Sequence, residues 1–298
     1  MPQNKDHDRL FKELIEVFFD EFLEAFFPKI FQSLDLSDKK FLSQELFPDM
    51  IEGDKKRADI IVQTKLKPSG GDSILIVHVE AQSTYQKKFA ERMCIYCMMI
   101  YLKYRKLVFS IAVFSYDKNK EEPDCFTFGP PFLTTFTFRY MKVELHKLNW
   151  RAFVESSNPA AAALMCKMHF TEKERVQVRL TFLRSLARMT INDAKKSLIN
   201  RFFEQYLQLS EQEEEALMQE ARNLPKDEGK KYSNGRIHSM IAGLKKVSNK
   251  ELIKVLNKVL NKEKPKLPGR LHGRCSNGTW LSRRLPQSPN WIKTMSLT

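Results

Sequence analysis

The chain has 298 residues, 42% of them hydrophobic and 29% charged, with a formal net charge of +14. That profile suits a globular fold of one large or two small domains, and no run of about 18 uninterrupted apolar residues offers a membrane span. The charge is unevenly placed: residues 231–298 hold 15 Lys+Arg against 2 Asp+Glu, a net of +13, which leaves residues 1–230 at +1. Net charge is therefore no argument for nucleic-acid affinity in the body of the chain. The N-terminus lacks the apolar stretch of a secretory signal. Five cysteines (Cys94, Cys97, Cys125, Cys166 and Cys275) follow no framework spacing and point to the reducing cytoplasm.

In chain order, Leu10, Phe11, Leu14, Ile15, Phe18, Phe22 and Phe26 keep a helical rhythm over residues 8–27, with Pro28 expected to close it. Residues 57–66 and 73–82 read as strands around the turn cluster Pro68-Ser69-Gly70-Gly71-Asp72, a hairpin pattern. A long helix is expected from about residue 85 to 104. An apolar strand from Leu107 to Tyr116 comes next, and a further strand lies within Thr134–Leu145. This order gives an α/β layout with a mixed sheet. Beyond residue 150 the pattern turns helical. Thr171-Glu172-Lys173-Glu174 is a capping box ahead of Val176, Leu180, Leu183 and Leu186, and helices follow at about 191–209 and 211–223.

The chemistry concentrates in the hairpin. Asp59 and Glu80 are equidistant from a point between Ser69 and Gly70, so a turn centred there sets them opposite each other near the open end. Directly opposed residues have Cβ atoms about 5 Å apart, and the strand period of two puts Gln82 on the face of Glu80. Two close carboxylates repel unless neutralised. A hard divalent cation such as Mg²⁺ does this while leaving room for a phosphate oxygen. The bland alternative is a pair of exposed strand-end charges matched by Arg57 or Arg92. Glu80 ends a strand, Ile74–Val79, that reads as buried on both faces, and His78 shares its face. Cys94-Ile95-Tyr96-Cys97 is a C-x-x-C motif without zinc-type companions and reads as core, while Tyr96 lies one turn beyond Arg92.

Several segments occur in an order that resembles the recombination-promoting nuclease (Rpn) family, also described as YhgA-like transposases. They are His7-Asp8-Arg9-Leu10-Phe11-Lys12, Arg57-Ala58-Asp59-Ile60, His78-Val79-Glu80-Ala81-Gln82-Ser83 and Phe89-Ala90-Glu91-Arg92-Met93-Cys94-Ile95-Tyr96. The resemblance covers roughly residues 5–225. It implies a PD-(D/E)XK fold, a restriction-endonuclease-like α/β/α core with a mixed sheet followed by a helical C-terminal region. It also implies Mg²⁺-dependent endonucleolytic hydrolysis of DNA, linked to recombination and mobile elements. Carried over by position, Asp59 and Glu80 become metal ligands with the Ala81 carbonyl, and Gln82 stands where the wider superfamily has Lys. Glu13 is either an auxiliary acid or an exposed helix-face charge. Lys12 and Arg92 either touch phosphate or pair with nearby acids. The expected organisation is a nuclease-like domain over 1–150, a helical region over 151–230 and a tail over 231–298. DNA is the expected partner, with no membrane association, and a homodimer is admitted. The alternative is a catalytically inactive, transposase-related factor that binds DNA or protein.

The tail repeats Lys-Val-Leu-Asn from Lys254 to Lys262. Joining the third base of each codon to the first two of the next gives Gly or Ser, then codons that include Ile and Glu, then Gln or a stop, so the repeat can become Gly-Ile-Glu-Gln. Members of the resembled family often end in Gly-x-Glu-Gln helices. The tail is either a basic DNA-binding arm, a solvated charged arm, or sequence that runs out of frame from near Lys230, in which case residues 231–298 are expected to be disordered.

Overall fold

The computed structural model describes residues 3–44, 59–67, 74–116 and 121–222. The tail, the turn at 68–72 and the Arg57-Ala58 pair lie outside the described residues, and so does the expected change of frame. Two helices stand where one was expected over 8–27, α1 (Gln3–Val17) and α2 (Phe19–Phe26), with a break at Phe18 (φ −119°, ψ 40°). The apolar rhythm survives the break, since Phe11, Leu14, Ile15, Phe18 and Phe22 are all buried. The pattern thus reported a buried face rather than an unbroken backbone. The segment ends as expected just before Pro28, with Phe27 as the C-cap of α2, and Pro28 then opens a further helix, α3 (Pro28–Ser33), in the first turn, where a missing N–H costs nothing. Next comes β1 (Leu34–Phe41), a strand that LDLSDKKF does not announce because its apolar residues do not alternate. It is an edge strand whose register with its neighbour slips between Asp35 and Lys40.

The hairpin follows as β2 (Ile60–Leu66) and β3 (Ile74–Gln82), antiparallel, with Ile60 opposite Val79 and Lys65 opposite Ile74. This register, extended by one residue, sets Asp59 opposite Glu80. Then come α4 (Phe89–Tyr104) and β4 (Leu107–Phe114), which runs parallel to β3. The single strand expected within 134–145 is two strands that turn at Tyr140. β6 (Phe136–Arg139) pairs with β5 (Cys125–Phe128) as a separate ribbon, and β7 (Met141–Glu144) joins β4 in parallel. The helical part holds α5 (Pro159–Leu164), α6 (Arg175–Arg188), α7 (Asp193–Tyr206) and α8 (Glu211–Arg222). The capping box is present at Thr171 and Glu174, on a short 3₁₀ turn leading into α6.

The protein is thus α/β, with a five-stranded mixed sheet in the order β1-β2-β3-β4-β7. Strand alternation sorts side chains to its two faces. Ile60, Val62, Val77, Val79, Ile111 and Val113 face a core shared with α1, α2 and α5–α7. Ile61, Ile76, Ala112 and Phe114 face α4, meeting Tyr96, Ile100, Phe89 and Met93. Helices therefore cover both faces, and β3, the central strand, is buried on both sides. Among the described residues no helix is long and apolar enough to cross a membrane.

Candidate functional site

Glu80 lies near the carboxyl end of β3, on the α4 face, and is only 4% exposed. A carboxylate so placed needs partners, because an uncompensated buried charge costs several kcal/mol at least. It has three. Its Oε1 accepts the Asp59 backbone N–H at 2.8 Å and lies 3.0 Å from His78 Nε2. Its Oε2 is 3.9 Å from Arg92 Nη2. Asp59 reciprocates: its Oδ2 accepts the Ala81 backbone N–H at 2.9 Å. Each acid is thus bonded to backbone at or beside the other, which extends the β2–β3 pairing past the last ladder pair. The hairpin register and this double bond together bring the two carboxylates to one place.

His78 is fully buried, two residues before Glu80 on the same face. An ionised carboxylate only accepts, so His78 donates through Nε2–H, and its Nδ1 lies 3.4 Å from the Ser110 hydroxyl oxygen. Tyr96 stands edge-on to the His78 ring at 5.9 Å. Burial pushes its phenol up to about 12, with the negative charges of Glu80 and Asp59 adding to the rise and Arg92 opposing it. Tyr96 is therefore a neutral wall of the site.

Gln82 is 6% exposed and its side chain is committed at both ends. The carbonyl oxygen accepts from Arg92 Nη2 at 2.6 Å, and the NH₂ donates to the Thr84 carbonyl at 2.7 Å. Since guanidinium only donates and a carbonyl only accepts, the amide has one orientation. Arg92 also donates to Gln86 Oε1 and lies 5.1 Å from the Phe89 ring centroid. Gln86, Phe89 and Thr84 were missed from the sequence. The Phe89–Arg92 spacing of three at the start of a helix was the one available signal.

The structure brings together Asp59, Glu80, Ala81, Gln82 and Arg92, with His78 and Tyr96 beside them. Glu13 and Lys12 have other partners, on a helix that packs against the opposite face of the sheet. Glu13 pairs with Arg201 of α7 at 2.8 Å. Lys12 donates to Gln44, whose amide bonds Glu16 at 2.8 Å. Cys94 is buried and Cys97 half-buried, both with thiols raised chiefly by burial, as core cysteines are.

Two carboxylates offer only oxygen donors, the chemistry a hard divalent cation accepts, and the Ala81 backbone meets them through its N–H, which donates to Asp59. Among the described residues no group of three or more His, Cys, Asp or Glu is gathered for a metal. A cation at Asp59 and Glu80 would thus take further ligands from backbone, solvent or substrate, as Mg²⁺ commonly does. No protein-family model, no curated protein and no solved structure matches this chain.

Proposed function

We propose that this protein is a Mg²⁺-dependent DNA endonuclease with a restriction-endonuclease-like core, acting in recombination or mobile-element biology. The observation that supports this reading best is the pair Asp59 and Glu80, held side by side by reciprocal bonds to backbone at the end of a buried strand. In this reading both carboxylates, with the Ala81 carbonyl, hold the metal, which when bound supplies Lewis acidity toward the phosphodiester. His78 orients Glu80, and Tyr96 excludes water from its inner side. Gln82 cannot act as a base or carry charge. The test is relaxation of supercoiled plasmid with and without Mg²⁺ by the protein and by Asp59→Ala and Glu80→Ala. Cleavage that survives both substitutions sinks the site.

A second reading, a catalytically inactive transposase-related factor that binds DNA or protein, has one observation in its favour. Asp59 Oδ2 and Glu80 Oε1 are already satisfied by the protein's own N–H groups. Mg²⁺ binding separates the two. An inactive factor shows no heat of Mg²⁺ binding that depends on Asp59.

A further inference from the structure

Arg92 is the one cation with a described contact to Glu80 or Gln82, and the way it is held is unusual for a charge-compensating arginine. Its short bonds go to two neutral amides, Gln82 and Gln86, while the nearest carboxylate oxygen, Glu80 Oε2, stands off at 3.9 Å. The Phe89 ring lies 5.1 Å from the guanidinium carbon. An amide fixes a guanidinium without cancelling its charge, whereas a carboxylate at position 82 would cancel it. Arg92 is also 29% exposed in its side chain, so part of the fixed charge stays open to a ligand, although its Nε is buried. Its place in the first turn of α4 sets it at the carboxyl end of β3, beside Glu80.

We infer that Arg92 is the residue that meets the phosphate at this site, and that Gln82 is its positioning residue rather than a group that handles water or substrate. The inference rests on the nuclease reading and deepens it. Among the described residues, once a divalent cation offsets the two carboxylates, the charge left over is that of Arg92. It matches the single negative charge of a phosphodiester, and the fork of guanidinium N–H groups suits two of its oxygens. Gln82 holds that fork from below, and its own NH₂ is turned away to Thr84. The requirement for a neutral amide gives Gln82 a reason that direct chemistry does not.

The experiment uses the full chain and a short DNA duplex. Binding is measured in Ca²⁺ across a range of salt, and cleavage in Mg²⁺, for wild type, Arg92→Gln, Gln82→Glu and Gln82→Ala. Mn²⁺ binding and thermal melts serve as controls. The expected result is that Arg92→Gln and Gln82→Glu each lower the slope of log affinity against log salt by about 0.9. Both slow cleavage by about 100-fold or more with Mn²⁺ affinity retained. Gln82→Ala keeps the slope, because the charge remains, and loses less rate. An unchanged slope and rate in Arg92→Gln overturns the inference, as does a Gln82→Glu protein that behaves like Gln82→Ala. If wild type binds duplex but never cleaves it, the nuclease reading falls and the slopes alone decide the role of Arg92. If wild type binds no duplex, both fall.

Discussion

Glu80 shows how one residue serves fold and chemistry together. It is buried, yet it completes strand pairing by accepting the Asp59 N–H, and it draws a donor from His78. Glu80→Gln keeps an oxygen for the Asp59 N–H, removes the charge and turns the oxygen that faces Arg92 at 3.9 Å into a donor. It should therefore leave the melting temperature nearly unchanged while abolishing metal binding, which titration calorimetry with Mn²⁺ would read. His78→Ala is expected to behave in the opposite way. It opens a cavity in a fully buried position and strips Glu80 of a donor, at a cost of about 2–4 kcal/mol in a urea titration. The facing of Asp59 and Glu80 was legible in the sequence, because their positions are symmetric about the turn and a hairpin register follows from that. The commitment of Gln82 was not. It depends on Arg92, ten residues on, and on a helix that starts at Phe89 rather than near 85, so no strand-level pattern carries it.

Among the elements, caps do much to anchor the helical part to the rest. Asn158 caps α5 through the Ala161 N–H at 3.0 Å, and its amide nitrogen reaches back to the Glu21 carbonyl of α2 at 2.9 Å. Asn158→Ala should cost about 1–2 kcal/mol, more than Asn158→Asp, which keeps the cap alone; equal losses would show that the bond to α2 contributes nothing. The capping box makes a pH-dependent contribution. Hydrogen bonds from the Thr171 hydroxyl and N–H, each 2.7 Å, are the largest causes that hold the Glu174 carboxyl at about 2, well below its ordinary 4.5. Because the folded value is depressed, the stabilisation is fully present above about pH 4.5 and is lost as pH falls toward about 2. Glu174→Gln should therefore melt below wild type at neutral pH, with the gap closing in acid; a gap independent of pH would contradict this. The capping box could be read from Thr171-x-x-Glu174, since its chemistry is local. β1 could not be read, because an edge strand needs one buried side and gets its bonds from β2, which the local composition does not reveal.

For the whole molecule, the helical segment after residue 150 and the sheet share one core. The Phe11 ring of α1 meets Phe202 of α7 edge-on at 4.8 Å, and Phe182 stacks on Phe203 at 3.9 Å. The expected outcome is a single calorimetric transition for both, lowered as a unit by Phe202→Ala, a change worth about 3–5 kcal/mol. Two separated peaks would show independent domains. The apolar rhythms of α6 and α7 announced helices but not their partners, because periodicity names a buried face and not what covers it. The split of charge, +13 in residues 231–298 against +1 before them, also belongs to this scale. It means that affinity for DNA in low salt cannot by itself report on the site. Chemistry that depends on the metal and on the two acids can. The most direct measurement is the rate of plasmid nicking by the full chain in Mg²⁺ and in EDTA, beside Glu80→Gln. Nicking in Mg²⁺ alone, reduced at least about 100-fold by the substitution, is the predicted result; equal nicking by both proteins, or nicking that persists in EDTA, would contradict it.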